Sequence, residues 1–211
     1  MGSTRVTRLA SNAESWMHRK IAARKTGGRI LELGAGTLNH IQYEKSFNVY
    51  DFVEPFTDLW NDSIMLSSTS GHYSDIRDVP SVNRYDRVLS VAVLEHLTDL
   101  PYIVSRSALL LDNSGIFQAG IPAEGGLLWG LAWRCVTGPA YRRRTGLDYG
   151  TLMRHEHVNT ANEILAVIRH FFQNDRTWRF PLPHLHLSFY IYVEASGPRV
   201  GLCRGRHALA G

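Results

Sequence analysis

Apolar residues fall into short blocks along this chain, and the blocks follow two alternating rhythms. Short apolar runs predict strands at Arg29–Leu33, Val49–Val53, His72–Ser74, Asp86–Ala92, Ile116–Ile121, Thr177–Phe180 and Leu187–Glu194. Helical spacing predicts helices over Asn12–Lys25, Leu38–Lys45, Leu100–Leu111 and Asn159–Phe172. Ser11 and Glu14 have capping-box spacing, Gly27-Gly28 is a stop signal, and Asn159 or Thr160 caps the last of these helices. Asp112-Asn113-Ser114-Gly115 reads as a turn. Strands that alternate with helices imply βαβ units and a parallel sheet. The rhythm breaks over residues 122–158, a stretch rich in Gly, Pro and aromatics, which reads as a lid lying over the strand ends.

At the first predicted turn the sequence reads Arg29-Ile-Leu-Glu-Leu-Gly-Ala-Gly-Thr-Leu-Asn-His40. A strand, a Gly-rich turn and a helix form the nucleotide-binding opening of a doubly wound fold. The dinucleotide fingerprint fails, because Asn39 holds its third glycine position. Glu32 argues further against a pyrophosphate, which a carboxylate would repel, and in favour of a ligand carrying an amine or a sulfonium. Glu54 ends the second strand, where a carboxylate holds both hydroxyls of a ribose. Asp75 follows the third strand, at the height of an adenine amino group. An acid after each of three successive strands, beside two glycines, describes S-adenosylmethionine.

On these residues the sequence resembles the class I S-adenosylmethionine-dependent methyltransferases. "LELGAG" is similar to their first motif, "VEP" to their ribose acid, "YSDI" to their adenine acid, and "YDRVLSVAVLEHL" to their fourth-strand motif in the small-molecule branch. The strings "GAGTLNH", "VLEHLTDLPYIV" and "LMRHEHVN" resemble a bacterial subgroup linked to surface-polysaccharide biosynthesis. One departure is Leu38, which stands at the family's third glycine site. The resemblance implies an α/β fold. It has a Rossmann-like, doubly wound, mostly parallel seven-stranded sheet with an antiparallel last strand, helices on both faces and a lid insertion. One domain is expected over 1–196 with the lid at about 122–158, and the Gly- and Arg-containing tail over 197–211 reads as disordered. The resemblance implies S-adenosyl-L-methionine as cofactor and S-adenosyl-L-homocysteine as product. Glu32, Gly34, Ala35 and Gly36 would shape the methionine end. Glu54 would hold the ribose, Asp75 and Ile76 the adenine, and the backbone of Ser90 and Val91 the methionine amino group.

Methyl transfer to oxygen benefits from a general base. His155 and His157 flank Glu156, and alternate residues of an extended segment point the same way. These two and His96 are the candidate catalytic residues; His184 and His186 are read as structural. Tyr149, Arg154 and Trp129 are the candidate substrate contacts, with Asp148 beside Tyr149. No metal is expected, since no carboxylate cluster stands beside the fourth strand.

Composition narrows the partners. The chain has 211 residues, 44% hydrophobic and 20% charged, which fits one soluble domain. Two cysteines make no disulfide or zinc framework, and with no signal peptide or membrane span this implies a cytoplasmic setting. A formal charge of +4 is too modest for a dedicated nucleic-acid binder. The expected acceptor is a small molecule, with O-methylation of a sugar or surface-polysaccharide precursor as the leading reading. A nucleotide sugar or a lipid-linked sugar both fit. Leu127, Leu128, Trp129, Leu131 and Trp133, followed by Arg142–Arg144, leave open a peripheral membrane contact through 125–144 or a homodimer. Three other readings stay open: an RNA or protein methyltransferase, a non-catalytic S-adenosylmethionine-binding partner protein and, more weakly, a nicotinamide dehydrogenase.

Overall fold

Seven strands form a single sheet in the order β3-β2-β1-β4-β5-β7-β6. They are β1 (Arg29–Leu33), β2 (Val49–Val53), β3 (Gly71–Tyr73), β4 (Tyr85–Val91), β5 (Leu111–Pro122), β6 (Phe172–Pro181) and β7 (Ser188–Pro198). Only β7 runs antiparallel to both of its neighbours. A computed structural model of the chain describes residues 5–24, 28–124, 126–132, 134–135 and 138–208, with the backbone alone at 5–13, 132, 140, 149, 152, 154 and 208. The helices are α1 (Arg5–Ala22), α2 (Thr57–Trp60), α3 (Leu100–Leu110), α4 (Leu127–Ala132), α5 (Gly138–Thr145), α6 (Tyr149–Glu156), α7 (Ala161–Phe171) and α8 (Val200–Ala208). Among the described residues no helix is long and apolar enough to cross a membrane.

Two cores form, one on each face of the sheet. On one face α3 and α7 pack against β4, β5 and β7. In α7 the buried residues are Ala161, Ile164, Leu165, Ile168 and Phe171, the i, i+3, i+4 stripe of an amphipathic helix. Its start is fixed by a capping box between Thr160 and Glu163. On the other face Ile21 of α1 joins Ile30, Leu38, Tyr50, Phe52 and Leu89.

That second face also buries a charge. Arg87 on β4 is fully buried. Its Nη1 and Nη2 donate to both carboxylate oxygens of Glu44, at 2.7 and 2.8 Å. Its Nε donates to Gln118 of β5 at 2.6 Å, and Nη2 also reaches the Ile21 carbonyl at 3.0 Å. The last carbonyls of a helix have no partner within it and carry partial negative charge. Arg87 therefore staples the C-terminus of α1 to the centre of the sheet.

Four predicted elements differ. The helix expected over Leu38–Lys45 is one 3-10 turn, Ile41–Tyr43. Leu38 has φ +63°, a left-handed backbone that no α-helix accommodates, and its side chain is buried in the second core. The first helix begins at Arg5, upstream of the expected cap at Ser11, because no Gly or Pro interrupts residues 5–10; its expected end at Lys25 and Gly27 lies outside the described residues. The tail expected to be disordered from Gly197 instead forms α8 over Val200–Ala208. Cys203 is buried in the first core, and Arg206 donates to Asp99 at 2.7 Å. Asp112–Gly115, expected as a turn, lies within the span of β5.

Removing one partner of a buried ion pair leaves the other charge stranded. Glu44→Gln is expected to lower unfolding free energy by about 3 kcal/mol in urea titrations, and adding Arg87→Met should recover much of that loss.

Candidate active site

The strand order reverses between β1 and β4, and a crevice opens there beyond their carboxyl ends. It holds a cavity of about 720 Å³. Gly34, with φ +65°, turns the chain out of β1; a Cβ there would come within 2.5 Å of Val93. Gly36, with φ +51°, has open space where its Cβ would stand, so the backbone is bare toward the cavity. Glu32, Gly34, Ala35, Gly36, Glu54, Asp75, Ile76 and Val91 all line this one cavity. Ser90 does not. It is fully buried one residue inside β4, and Val91, Ala92 and Val93 form the wall instead.

Glu32 is buried, and its carboxylate accepts from the Tyr50 hydroxyl at 2.7 Å. Burial pushes its carboxyl up to about 7, with His40 and the Tyr50 hydrogen bond working against the rise. His40 faces Glu44 through Nε2 at 3.0 Å and meets His18 of α1 at 3.0 Å between their Nδ1 atoms. A carboxylate only accepts, so Nε2 of His40 carries a proton. Between the two Nδ1 atoms one ring donates and the other accepts. Burial, and then His40, press His18 down to about 4, so His18 is uncharged at neutral pH.

Glu54 is buried at the end of β2. Its Oε2 accepts the Gly36 N–H at 2.9 Å and its Oε1 the Phe56 N–H at 3.1 Å. A carboxylate has about four lone-pair sites, so two bonds hold it in place and leave capacity for two more. Asp75 caps the turn Ile76–Asp78 and is paired with Arg77 at 2.7 Å. Ile76, Leu97 and Ile103 give that end of the cavity an apolar wall.

The histidines divide. His96 lines the cavity, and its Nδ1 is 2.9 Å from the Glu156 carbonyl. A carbonyl only accepts, so Nδ1 carries a proton, and Nε2 lies 3.9 Å from Glu95 Oε1. The His157 ring stacks edge-on against His96, with centroids 4.5 Å apart. Its Nδ1 is 2.6 Å from Glu124 Oε1, an ion-pair contact not aligned as a hydrogen bond. Burial works against the His157 cation, but Glu124, then Glu95 and Glu156, outweigh it and hold the imidazole above its ordinary value. Glu95 is buried, and burial pushes its carboxyl up to about 7. His155 stands apart. It lies in α6, where residues two apart point to different sides, and it is exposed, so the expected extended pair with His157 does not form. His184 and His186 are exposed beside a 3-10 turn. Among the described residues no group of three or more His, Cys, Asp or Glu could hold a metal ion.

Of the candidate substrate contacts, Trp129 lies half-buried on α4 with its ring against Tyr190 and does not line the cavity. The side chains of Tyr149 and Arg154 lie outside the described residues, as does Trp133. Leu127 and Leu131, one turn apart on α4, are exposed rather than packed on the sheet.

Sequence reading missed Glu124 and His18. Glu124 follows the carboxyl end of β5, a position where ligands bind in such folds. Glu14, Met17, His18 and Ile21 have i, i+3, i+4, i+7 spacing on α1, and the first three line the cavity.

No known family's sequence pattern matches the chain, and no curated protein sequence does. Solved structures do. A SAM-dependent methyltransferase from Thermotoga maritima superposes with a TM-score of 0.63 at 14% identity, covering 90% of each chain. N-methyltransferase NodS from Bradyrhizobium japonicum, in complex with S-adenosyl-L-homocysteine, gives 0.60 at 12% identity, covering 92% of this chain and 89% of that one. An S-adenosylmethionine-dependent methyltransferase from Mesorhizobium loti gives 0.59 at 14% identity, covering 88% and 98%. The chain therefore has the Rossmann-like fold of the S-adenosylmethionine-dependent methyltransferases.

Proposed function

We propose that this protein transfers a methyl group from S-adenosylmethionine to a small molecule. The reading rests on one observation: the crevice at the β1/β4 reversal gathers Glu32, the bare Gly34–Gly36 backbone, Glu54 and Asp75 around a single cavity. The donor set suits the cofactor. Glu32 offers a carboxylate to the amine or sulfonium, Glu54 has lone pairs left for ribose hydroxyls, and the apolar end at Ile76 and Ile103 suits a purine. Two of the similar solved methyltransferases whose names print a bound ligand, NodS and the plantazolicin methyltransferase, carry S-adenosyl-L-homocysteine.

The cofactor supplies an already activated methyl on a sulfonium. The protein then has to align the acceptor, exclude water and receive a proton. His96 is the group we assign to the last task, because it lines the cavity and the Glu156 carbonyl holds its Nδ1, which leaves Nε2 as the nitrogen to take a proton. His157 and Glu124 stand behind it as positioning residues. When the methyl group moves from the cofactor's sulfonium to the acceptor oxygen, His96 Nε2 would take up the acceptor's hydroxyl proton. A hydroxyl needs such a base during transfer, which favours oxygen as the acceptor atom. A sugar hydroxyl of a surface-polysaccharide precursor is the acceptor we infer, with the lid over residues 122–158 shaping its seat.

Labelled methyl from S-adenosylmethionine, incubated with the protein and a fractionated bacterial extract, should appear in the small-molecule or glycan fraction. Label confined to RNA or protein would reverse the acceptor class, and no label from a chain that still binds S-adenosyl-L-homocysteine would make it a non-catalytic binder. With the labelled fraction as substrate, His96→Ala should lose about 100-fold or more in turnover while its affinity for S-adenosyl-L-homocysteine stays the same. His155→Ala should match the native chain. If His157→Ala abolishes turnover and His96→Ala does not, the base is His157.

Glu32 yields a pH prediction. Its folded pKa lies above its unfolded value, so folding takes up a proton there. The penalty is absent below the ordinary carboxylate range, grows as pH rises toward about 7, and is complete above it. Glu32→Gln should therefore be more stable than the native chain at pH 8, by up to about 3 kcal/mol, and lose that advantage near pH 4. Urea titrations at the two pH values measure it. The same variant should bind S-adenosyl-L-homocysteine about tenfold or more weakly.

A further inference from the structure

The end of the sheet away from the cavity has a second cleft, of about 580 Å³. It lies beside the start of β4, the start of β5 and the passage from β7 into α8. Three arginines line it: Arg84 just before β4, Arg106 on α3 and Arg204 on α8. One carboxylate, Asp112, lines it too.

Among the described residues none of these three guanidiniums is paired with a carboxylate. Arg84 donates through Nη1 to the backbone carbonyls of Ser81 and Asn83. Arg106 donates to the Ser81 hydroxyl at 3.1 Å and the Val79 carbonyl at 2.6 Å, and its buried Nε finds no acceptor. These neutral contacts fix the planes of two guanidiniums and leave their charge uncompensated. Arg204 is exposed on the first turns of α8, and the N-terminus of that helix, at Val200, backs the cleft. A helix N-terminus carries partial positive charge. Burial, and then Arg106 of the cleft with Arg206 and Arg77 outside it, hold the neighbouring His207 below its ordinary value.

Concave, pre-oriented and net positive, such a surface fits an anion with several oxygens. Guanidinium planes match phosphoryl oxygens in geometry as well as charge. We propose that this cleft is an oligophosphate-binding site, separate from the cavity at the carboxyl ends of the strands. The proposal stands independently of methyl transfer. The shared chemistry is a run of linked phosphates, carried by inorganic pyrophosphate and by nucleoside diphosphates alike.

Calorimetric titration of the full chain at low ionic strength, with inorganic pyrophosphate and separately with ADP, tests it. One pyrophosphate per chain is expected, with affinity that falls as salt is raised. Arg84→Gln and Arg204→Gln should each weaken binding roughly tenfold, the worth of one charge-assisted hydrogen bond. Arg143→Gln, in the exposed run on α5, should leave it unchanged. Equal affinity for ADP and pyrophosphate would assign recognition to the phosphates alone, and tighter ADP would add a nucleoside contact. The absence of saturable binding would overturn the proposal. Equal weakening by Arg143→Gln, or displacement of pyrophosphate by S-adenosyl-L-homocysteine, would also overturn it, by assigning the effect to diffuse charge or to the first cavity.

Discussion

A fully buried guanidinium is the constraint around which this structure is arranged. Burying the Arg87 guanidinium is costly unless its surroundings supply counter-charge and acceptors. Glu44 supplies the charge, and Gln118 and the Ile21 carbonyl complete the shell. Those partners come from the β1–β2 loop, β5 and α1. One side chain thus fixes where the glycine loop descends and where α1 lies. A hydrophobic replacement would pack as well or better, but it would not dictate that the loop carrying His40 and Glu44 turns inward.

The consequences reach the cavity through His40. It contacts Glu44 on one side and His18 on the other, so the wall formed by α1 is tied to the floor beneath Glu32. Glu32 itself is held in a setting that disfavours its charge, beside Tyr50. Such a group is a liability to the empty fold and an asset to a cationic ligand, which restores the charge by pairing with it.

Much of this was legible in the sequence where local signals suffice. β1 and β2 match their predicted bounds to the residue because short apolar runs there end at glycine or at Glu54-Pro55. The acids at the strand ends were legible for a topological reason, since ligands in open α/β sheets bind at the carboxyl ends. The left-handed Leu38 was signalled only by the resemblance, which places a glycine at its site; in the residue pattern alone a leucine in a helical rhythm reads as helix. Nor did α8 announce itself: its anchor, Cys203, is a single small residue among glycines and arginines. The buried polar chain was invisible for another reason. Its members lie 22, 43 and 66 residues apart and become neighbours only when the sheet forms. His155 and His157 failed as a pair because the expectation assumed an extended backbone and the chain is helical up to Glu156.

The contact between His96 and the Glu156 carbonyl has one further consequence. Glu156 is the last residue of α6, in the stretch between β5 and α7. While that carbonyl is in place, the ring is held in one tautomer. Were α6 to move away, Nδ1 would lose its acceptor and the proton could exchange between the two nitrogens, as it does in imidazole in water. The position of α6 thereby selects the tautomer of a ring that lines the cavity.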